Sequence, residues 1–319
     1  MRFTLMDPTA VSPHHLLHLA KEAETCGFDS FALNDGTFQM RNTLGTYPFS
    51  PDHKRNWNIE APLYEPMTVL PALSLHTSRI RFFTYVIKLP LHHPLILAKQ
   101  VATAAVMSND RFALGVGSSW APEEFKFCNV DWATRGRRMD ESIEVLRLVL
   151  SGEMVEYHGE IFDFAPLIAK PAPRTPVKIL LGGHLEPSLK RAARLADGWV
   201  ARGPDTIEDL KRLIARLKEL CDEYGRDWSS FEIHATPLTV ESVDEFKRIE
   251  ELGVTDAMLR PWYGKDPAKW DVSVRQRVSG QRVIAADDPD QLYSTELPHT
   301  KLDAVRRYAD EIVSHWKSR

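Results

Sequence analysis

Short runs of apolar and β-branched residues recur along the chain, each followed by a stretch whose apolar positions fall three and four apart. The runs predict strands at Arg2–Met6, Asp29–Leu33, Ile80–Lys88, Arg111–Val116, Val177–Leu181, Gly198–Ala201, Glu232–Leu238 and Ala257–Pro261. The intervening stretches predict helices. The clearest follows Thr206, where Ile207, Leu210, Leu213, Ile214, Leu217 and Leu220 form one stripe at helical spacing. Start signals agree with this pattern: Ser12-Pro13 precedes Leu16, Leu17 and Leu19, Glu186-Pro187 precedes Leu189 and Ala192, and Ser242 with Glu245 reads as a capping box. A last helix is predicted from about Lys301 to Trp316.

Strands that alternate with helices imply a parallel sheet, because a parallel connection crosses back over the sheet and a helix is the usual crossover. Eight such units favour a closed (β/α)8 TIM barrel over an open sheet, since closure leaves no edge strand to protect. No repeat, low-complexity tract or linker divides the chain, so residues 1–319 read as a single barrel domain. Three stretches exceed the plain unit and read as insertions after strands two, four and eight: residues 36–62, residues 152–175 and residues 263–299. The second contains a hairpin from Val155 to Phe164 that turns at His158-Gly159. Loops after barrel strands surround the catalytic mouth, so the first and third insertions are candidate substrate walls. Tyr47, Phe49 and Trp57 in the first point to an apolar or aromatic ligand.

Composition narrows the partners. Apolar residues at 43% and charged residues at 26% match ordinary soluble domains and support a large buried core. The net charge of −4 is the wrong sign for nucleic acid, whose backbone rewards a basic surface, and leaves a small molecule as the expected ligand. No signal-peptide pattern and no run of about eighteen apolar residues is present, so the expectation is a cytoplasmic protein with no membrane partner. Cys26, Cys128 and Cys221 lack metal-type spacing, and Cys26 and Cys221 fall on apolar helix positions as buried thiols. A metal-dependent hydrolase would need clustered ligands on strand ends, commonly a His-x-His pair on the first strand, and Arg2–Met6 carries no histidine. No metal is expected.

Candidate chemistry gathers at predicted strand ends. Gly115-Val116-Gly117 looks like the opening of a dinucleotide-binding turn, but Trp120 occupies the slot of the third glycine. On a barrel these glycines end strand four, where bare backbone lets an anion or a flat ring approach closely. Gly182-Gly183-His184 ends strand five before a helix start suited to phosphate. An ordinary tight turn is the alternative for both. Arg202, Arg260 and Trp262 also follow strand ends, where guanidinium groups suit a phosphate or carboxylate, with surface ion pairs as the alternative.

The segments Arg79–Pro94, Ala98–Thr103, Arg111–Gly117, Glu123–Phe125, Arg135–Glu141, His158–Glu160, Gly182–His184 and Arg191–Trp199 resemble, in order and spacing, the bacterial luciferase-like superfamily, and especially its deazaflavin-dependent oxidoreductases. The resemblance implies a barrel that holds FMN or the deazaflavin coenzyme F420 at its mouth. It implies a bulge at Thr84-Tyr85-Val86, often with a non-proline cis peptide, against the middle of the ring; Tyr85 stands where a small residue is commoner. Phosphate-side contacts map to Gly117, Ser118, Gly182 and Gly183, and Trp120 is a candidate for stacking on the ligand or for packing. Many deazaflavin-using relatives carry an Asp-His pair after strand two, and here Asp35 is followed by Gly36, which cannot transfer a proton. The proton then comes from another group or is not needed. Asp35 is a general base or a loop-orienting carboxylate, His92 a site residue or, like His93, a helix cap, and Glu123 a catalytic acid or a stabiliser of its helix start.

Two activities follow from the resemblance. With F420, preferred on the segment Arg111–Glu141, the protein moves a hydride between the cofactor and a small organic substrate. With FMN it is a monooxygenase that uses reduced FMN and O2, supplied by a separate flavin reductase. A non-catalytic flavin-binding accessory protein is the third reading. Assembly into a homo-oligomer is also implied.

Overall fold

The structure, a computed structural model, describes residues 1–6, 12–41, 43, 47–48, 62–201, 206–236, 242–261, 295 and 299–318. Eight parallel strands close on themselves. They are β1 (Arg2–Met6), β2 (Ser30–Leu33), β3 (Arg81–Thr84) with its short continuation β4 (Ile87–Lys88), β5 (Phe112–Gly117), β8 (Ile179–Gly182), β9 (Gly198–Ala201), β10 (Glu232–Ala235) and β11 (Asp256–Leu259). Pairing runs from β3 through β2, β1, β11, β10, β9 and β8 to β5, and β3 then meets β5 with Phe82 opposite Phe112 and Phe83 opposite Ala113. All eight predicted strands are present. The remaining two, β6 (Val155–His158) and β7 (Asp163–Leu167), form the predicted antiparallel hairpin.

Helices cover the outside because their apolar stripes have nowhere else to be buried. In α7 (Ile207–Glu223), Leu210, Leu213, Ile214, Leu217 and Leu220 face the strands, while Ile207 at its first turn stays exposed. The chain starts helices where local groups satisfy free N–H donors. Ser12 accepts from the His14 N–H at 3.2 Å before α1 (Pro13–Thr25). Ser242 and Glu245 exchange both capping-box bonds before α8 (Val243–Glu251). The predicted last helix is α9 (His299–Tyr308), which continues through a wider turn to Lys317. Cys221 is buried as expected, but Cys26 is only half-buried, since it caps α1 at the surface.

The hairpin insertion is anchored by one side chain. Glu141, on α5 (Arg135–Leu150), accepts the main-chain N–H groups of Glu160, Ile161 and Phe162 at 3.0–3.2 Å. Gly159 is required beside it, because a Cβ there would collide with the Glu141 carboxylate. Of the other two insertions, most of the first and nearly all of the third, with Phe49, Trp57, Arg202 and Trp262, lie outside the described residues.

Inside the barrel, side chains alternate with those facing the helices, so each strand sends every second residue to the axis. Met6, Ala32, Phe83, Leu180, Val200 and Met258 meet there. Below this layer, at the N-terminal ends of the strands, lies a charged network that sequence patterning did not anticipate. Arg2 donates twice to Asp256 at 2.9 and 2.7 Å, and Glu232 receives Arg2 at 3.2 Å, Arg81 at 3.3 Å and Lys178 at 2.5 Å. His234 Nε2 lies 2.9 Å from Glu232 and 3.6 Å from Asp256. Burial alone would raise both carboxyls. The neighbouring His234, Arg81 and Arg2 for Glu232, and His234 and Arg2 for Asp256, instead hold them below the ordinary carboxylate range.

Carboxyls depressed in the folded state contribute stability that is present above their unfolded pKa of about 4 and is lost as pH falls toward the folded value. Asp256→Asn should therefore cost about 3 kcal/mol at pH 7, because Arg2 is left beside a buried neutral group. In urea denaturation the gap between variant and unaltered protein should narrow as the pH is lowered from 7 to 3; a gap independent of pH would contradict this account.

Candidate active site

The barrel mouth is organised by a close approach between β3 and β5. The Thr84 hydroxyl donates to the Gly115 carbonyl at 2.7 Å and accepts the Gly115 N–H at 2.9 Å. Gly115 must be glycine, because any Cβ would overlap the Thr84 carbonyl oxygen. Directly after Thr84 the chain bulges, and the Tyr85–Val86 peptide is cis. This is the position and the peptide geometry that the luciferase-like resemblance implied. Tyr85 turns into the barrel axis against the Phe83 and Met258 layer, which accounts for a large side chain where a small one is commoner. Val86 turns toward bare backbone. A Cβ on Gly117 would come within 2.8 Å of Val86 Cγ2, and one on Gly182 within 3.5 Å of both its methyls. The glycines at positions 115, 117 and 182 thus give β3 and Val86 room.

On the β8 side, Gly183 adopts a φ of +128° and its carbonyl accepts the Trp199 indole N–H at 2.8 Å. A Cβ there would also strike Ser188. The following helix, α6 (Glu186–Leu195), starts at Leu185 with no side-chain cap, but its first turn offers few main-chain donors, because Pro187 has no N–H and the Ser188 N–H donates to the Leu185 carbonyl at 2.8 Å. Ser118 follows Gly117 at the partly exposed rim, and Trp120 meets Tyr47 of the first insertion edge to face at 5.3 Å.

The charged side chains of the mouth come from three successive loops. Asp35, after β2, accepts the Lys88 main-chain N–H at 3.2 Å. The Lys88 ammonium pairs with Glu124 on α4 (Pro122–Phe127), and the Ser119 hydroxyl donates to the other Glu124 oxygen at 2.7 Å. That bond holds Ser119 at a φ of +63°, a left-handed conformation that serine seldom adopts. Burial pushes the Asp35 carboxyl up, opposed by Lys88 and His92 and reinforced by Glu124. Burial pushes His92 down, with Asp35 and Glu65 opposing. Burial thus shifts both Asp35 and His92 toward their uncharged forms, and displaced proton affinities of this kind are found where side chains exchange protons.

Asp35 and His92 come together, whereas His93 caps α3 (Pro94–Met107) through a bond from the Leu95 N–H at 3.3 Å. Glu123 sits in the first turn of α4, and it is Glu124, its neighbour, that joins the network with Lys88 and Ser119. Lys88 was overlooked, although it is the one charge in the apolar run from Val86 to Leu91. At Gly36, any side chain would meet Leu63 Cδ1 at 2.5 Å, so the place of the usual histidine is filled from the segment before α2 (Pro66–Ser74). Among the described residues, one triplet has metal-ligand atoms within 4.8 Å of one another, Glu232, His234 and Asp256. It lies at the opposite pole, and Arg2, Arg81 and Lys178 already neutralise it.

A closed parallel barrel whose bulged third strand stands over a glycine platform is the architecture that the luciferase-like resemblance implied. The chain belongs to the luciferase-like monooxygenase family, whose pattern matches residues 1–314. It is 41% identical over 296 residues to the Mycobacterium tuberculosis protein Rv0940c, covering 93% of each chain. It is 25% identical to the F420-dependent glucose-6-phosphate dehydrogenase of Amycolatopsis mediterranei over 92% of this chain and 86% of that one. The monooxygenase RslO1 of Streptomyces bottropensis shares the fold, with a TM-score of 0.66 at 19% identity over 99% of this chain and 100% of that one. Among the described residues no helix is long and apolar enough to cross a membrane.

Replacing Gly115 by alanine should destabilise the protein by about 3 kcal/mol, because two backbones would have to separate. Gly136→Ala, where a Cβ meets only the Arg191 guanidinium at 3.4 Å, should be neutral or slightly stabilising. Equal urea midpoints for the two variants would refute the close approach.

Proposed function

We propose that this protein is an oxidoreductase that carries a flavin-type cofactor across its mouth, with coenzyme F420 preferred over FMN, and acts on a small apolar or aromatic substrate. The observation that carries this reading is the seat of Val86 on the glycines of β5 and β8: it leaves a low apolar ridge in the middle of an otherwise bare platform, suited to the centre of a tricyclic ring. Gly117, Ser118, Gly182 and Gly183 would hold the phosphate side, where bare backbone lets an anion approach. Tyr85 and Thr84 support the ridge from below, and Trp120 with Tyr47 would wall the substrate side.

When bound, F420 supplies or accepts a hydride, two electrons with one hydrogen, at a single ring carbon. The residues of this chain handle the accompanying proton. In the reducing direction Asp35, whose hold on a proton burial strengthens, donates that proton to the substrate heteroatom next to the carbon that gains the hydride, and is left as carboxylate beside Lys88. His92 is placed to return a proton to Asp35 from the partly exposed rim. Glu123 has a lesser part, in the electrostatics of the α4 start. Relatives that use F420 support this order of preference, among them the glucose-6-phosphate dehydrogenase.

A second reading has its own observation. Leu63 closes the position next to Asp35 that a second proton carrier would need, which suits a reaction with FMN and O2 fed by a separate reductase. Titrating the purified protein with reduced F420 and with reduced FMN separates the two. The expected result is tight binding of F420, weaker binding of FMN, and a loss of about a hundredfold in turnover for Asp35→Asn with cofactor affinity retained. Binding of FMN alone would replace the first reading by the second. Cofactor binding without turnover of any carbonyl, imine or alkene substrate would leave an accessory protein.

A further inference from the structure

We propose that Lys88 is the positioning residue of the mouth: its main-chain N–H holds the Asp35 carboxyl, and its ammonium, tied to Glu124, sets the charge that Asp35 faces. The inference deepens the proposed function, since it rests on Asp35 standing at the reacting site.

The geometry supports it in three ways. First, Lys88 lies on β4, immediately beyond the Tyr85–Val86 bulge, so any displacement of the bulge carries the Asp35 anchor with it. Second, the Lys88–Glu124 pair is buried, with 14% and 4% of the two side chains exposed. A buried ion pair is costly to desolvate and is commonly no better for stability than apolar residues of the same size. Its occurrence in an apolar run, at the open end of the barrel, is therefore better explained by a local electrostatic task than by folding. Third, the pair is aligned from the far side by the Ser119 hydroxyl, in a backbone conformation that costs energy to maintain. The segments after β2 and β5 thus converge on one residue of β4, Asp35 on the Lys88 main-chain N–H and Glu124 on its ammonium.

Among the described residues, the charged groups that face Asp35 are Lys88 from β4, His92 from the turn that follows, and Glu124 from α4, while Glu65 faces His92 from the start of α2. Lys88 and Glu124 act on Asp35 with opposite sign. This yields a test that separates electrostatic positioning from simple packing, because replacing either partner breaks the same ion pair.

The experiment follows the carboxyl carbon of Asp35 by NMR titration of the full-length protein without cofactor, the signal being assigned by its absence in Asp35→Asn. Lys88→Met keeps the main-chain donor and removes the cation, so the Asp35 midpoint should rise by about one pH unit, a tenfold tighter hold on the proton. Glu124→Gln removes the anion, and the midpoint should fall. Lys88→Arg should leave it where it is in the unaltered protein. Shifts of the same sign in the first two variants, or no shift in either, would overturn the proposal. Should Lys88→Met fail to fold, a fall in Glu124→Gln with no change in Lys88→Arg supports it, and an unchanged midpoint in Glu124→Gln refutes it. The titration needs no turnover, so its outcome is independent of which cofactor and substrate the protein uses.

Discussion

The contact between Thr84 and Gly115 is the constraint on which the upper half of the molecule depends. A hydroxyl that both donates to and accepts from one glycine locks two strands closer together than side chains would permit. The chain beyond Thr84 cannot continue in register, and it bulges, returning to the sheet only at Ile87 opposite Val116. Everything at the mouth inherits its place from that departure: Tyr85 inward, Val86 upward over glycine backbone, and Lys88 one step further, in reach of two neighbouring loops.

The two ends of the barrel treat charge in opposite ways. At the N-terminal end, Glu232 and Asp256 are surrounded by Arg2, Arg81 and Lys178, so the carboxylates are ionised and the network is closed. At the C-terminal end, a single ammonium serves two carboxyls, and burial leaves Asp35 under-compensated. The first arrangement resists change in protonation and suits a support. The second invites it and suits chemistry, in keeping with the usual division of labour between the two faces of this fold.

Sequence patterning revealed the scaffold better than the site, for reasons visible in particular residues. Strand and helix periods are local, so the alternation from Arg2 to Leu259 and the stripe from Leu210 to Leu220 were legible without knowledge of tertiary contacts. The bulge at Tyr85 was legible only through resemblance, since no local period signals that Gly115 lies underneath. The lower network was not legible at all: Arg2 and Asp256 are 254 positions apart and become neighbours only when the first and last strands pair. At the mouth the ambiguity was one of adjacency. Glu123 and Glu124 are equally suited to a helix start by composition, and the turn of α4 decides which of them reaches Lys88.

Leu63 carries an implication for which side chains position 36 can accept. Its side chain fills the volume beside Asp35 that any residue larger than glycine at position 36 would claim. A histidine there requires Leu63 to swing aside or to be trimmed, since its Cδ1 stands 2.5 Å from where the new Cβ would be. The two positions are therefore sterically coupled, and the effect of a side chain at 36 depends on what stands at 63.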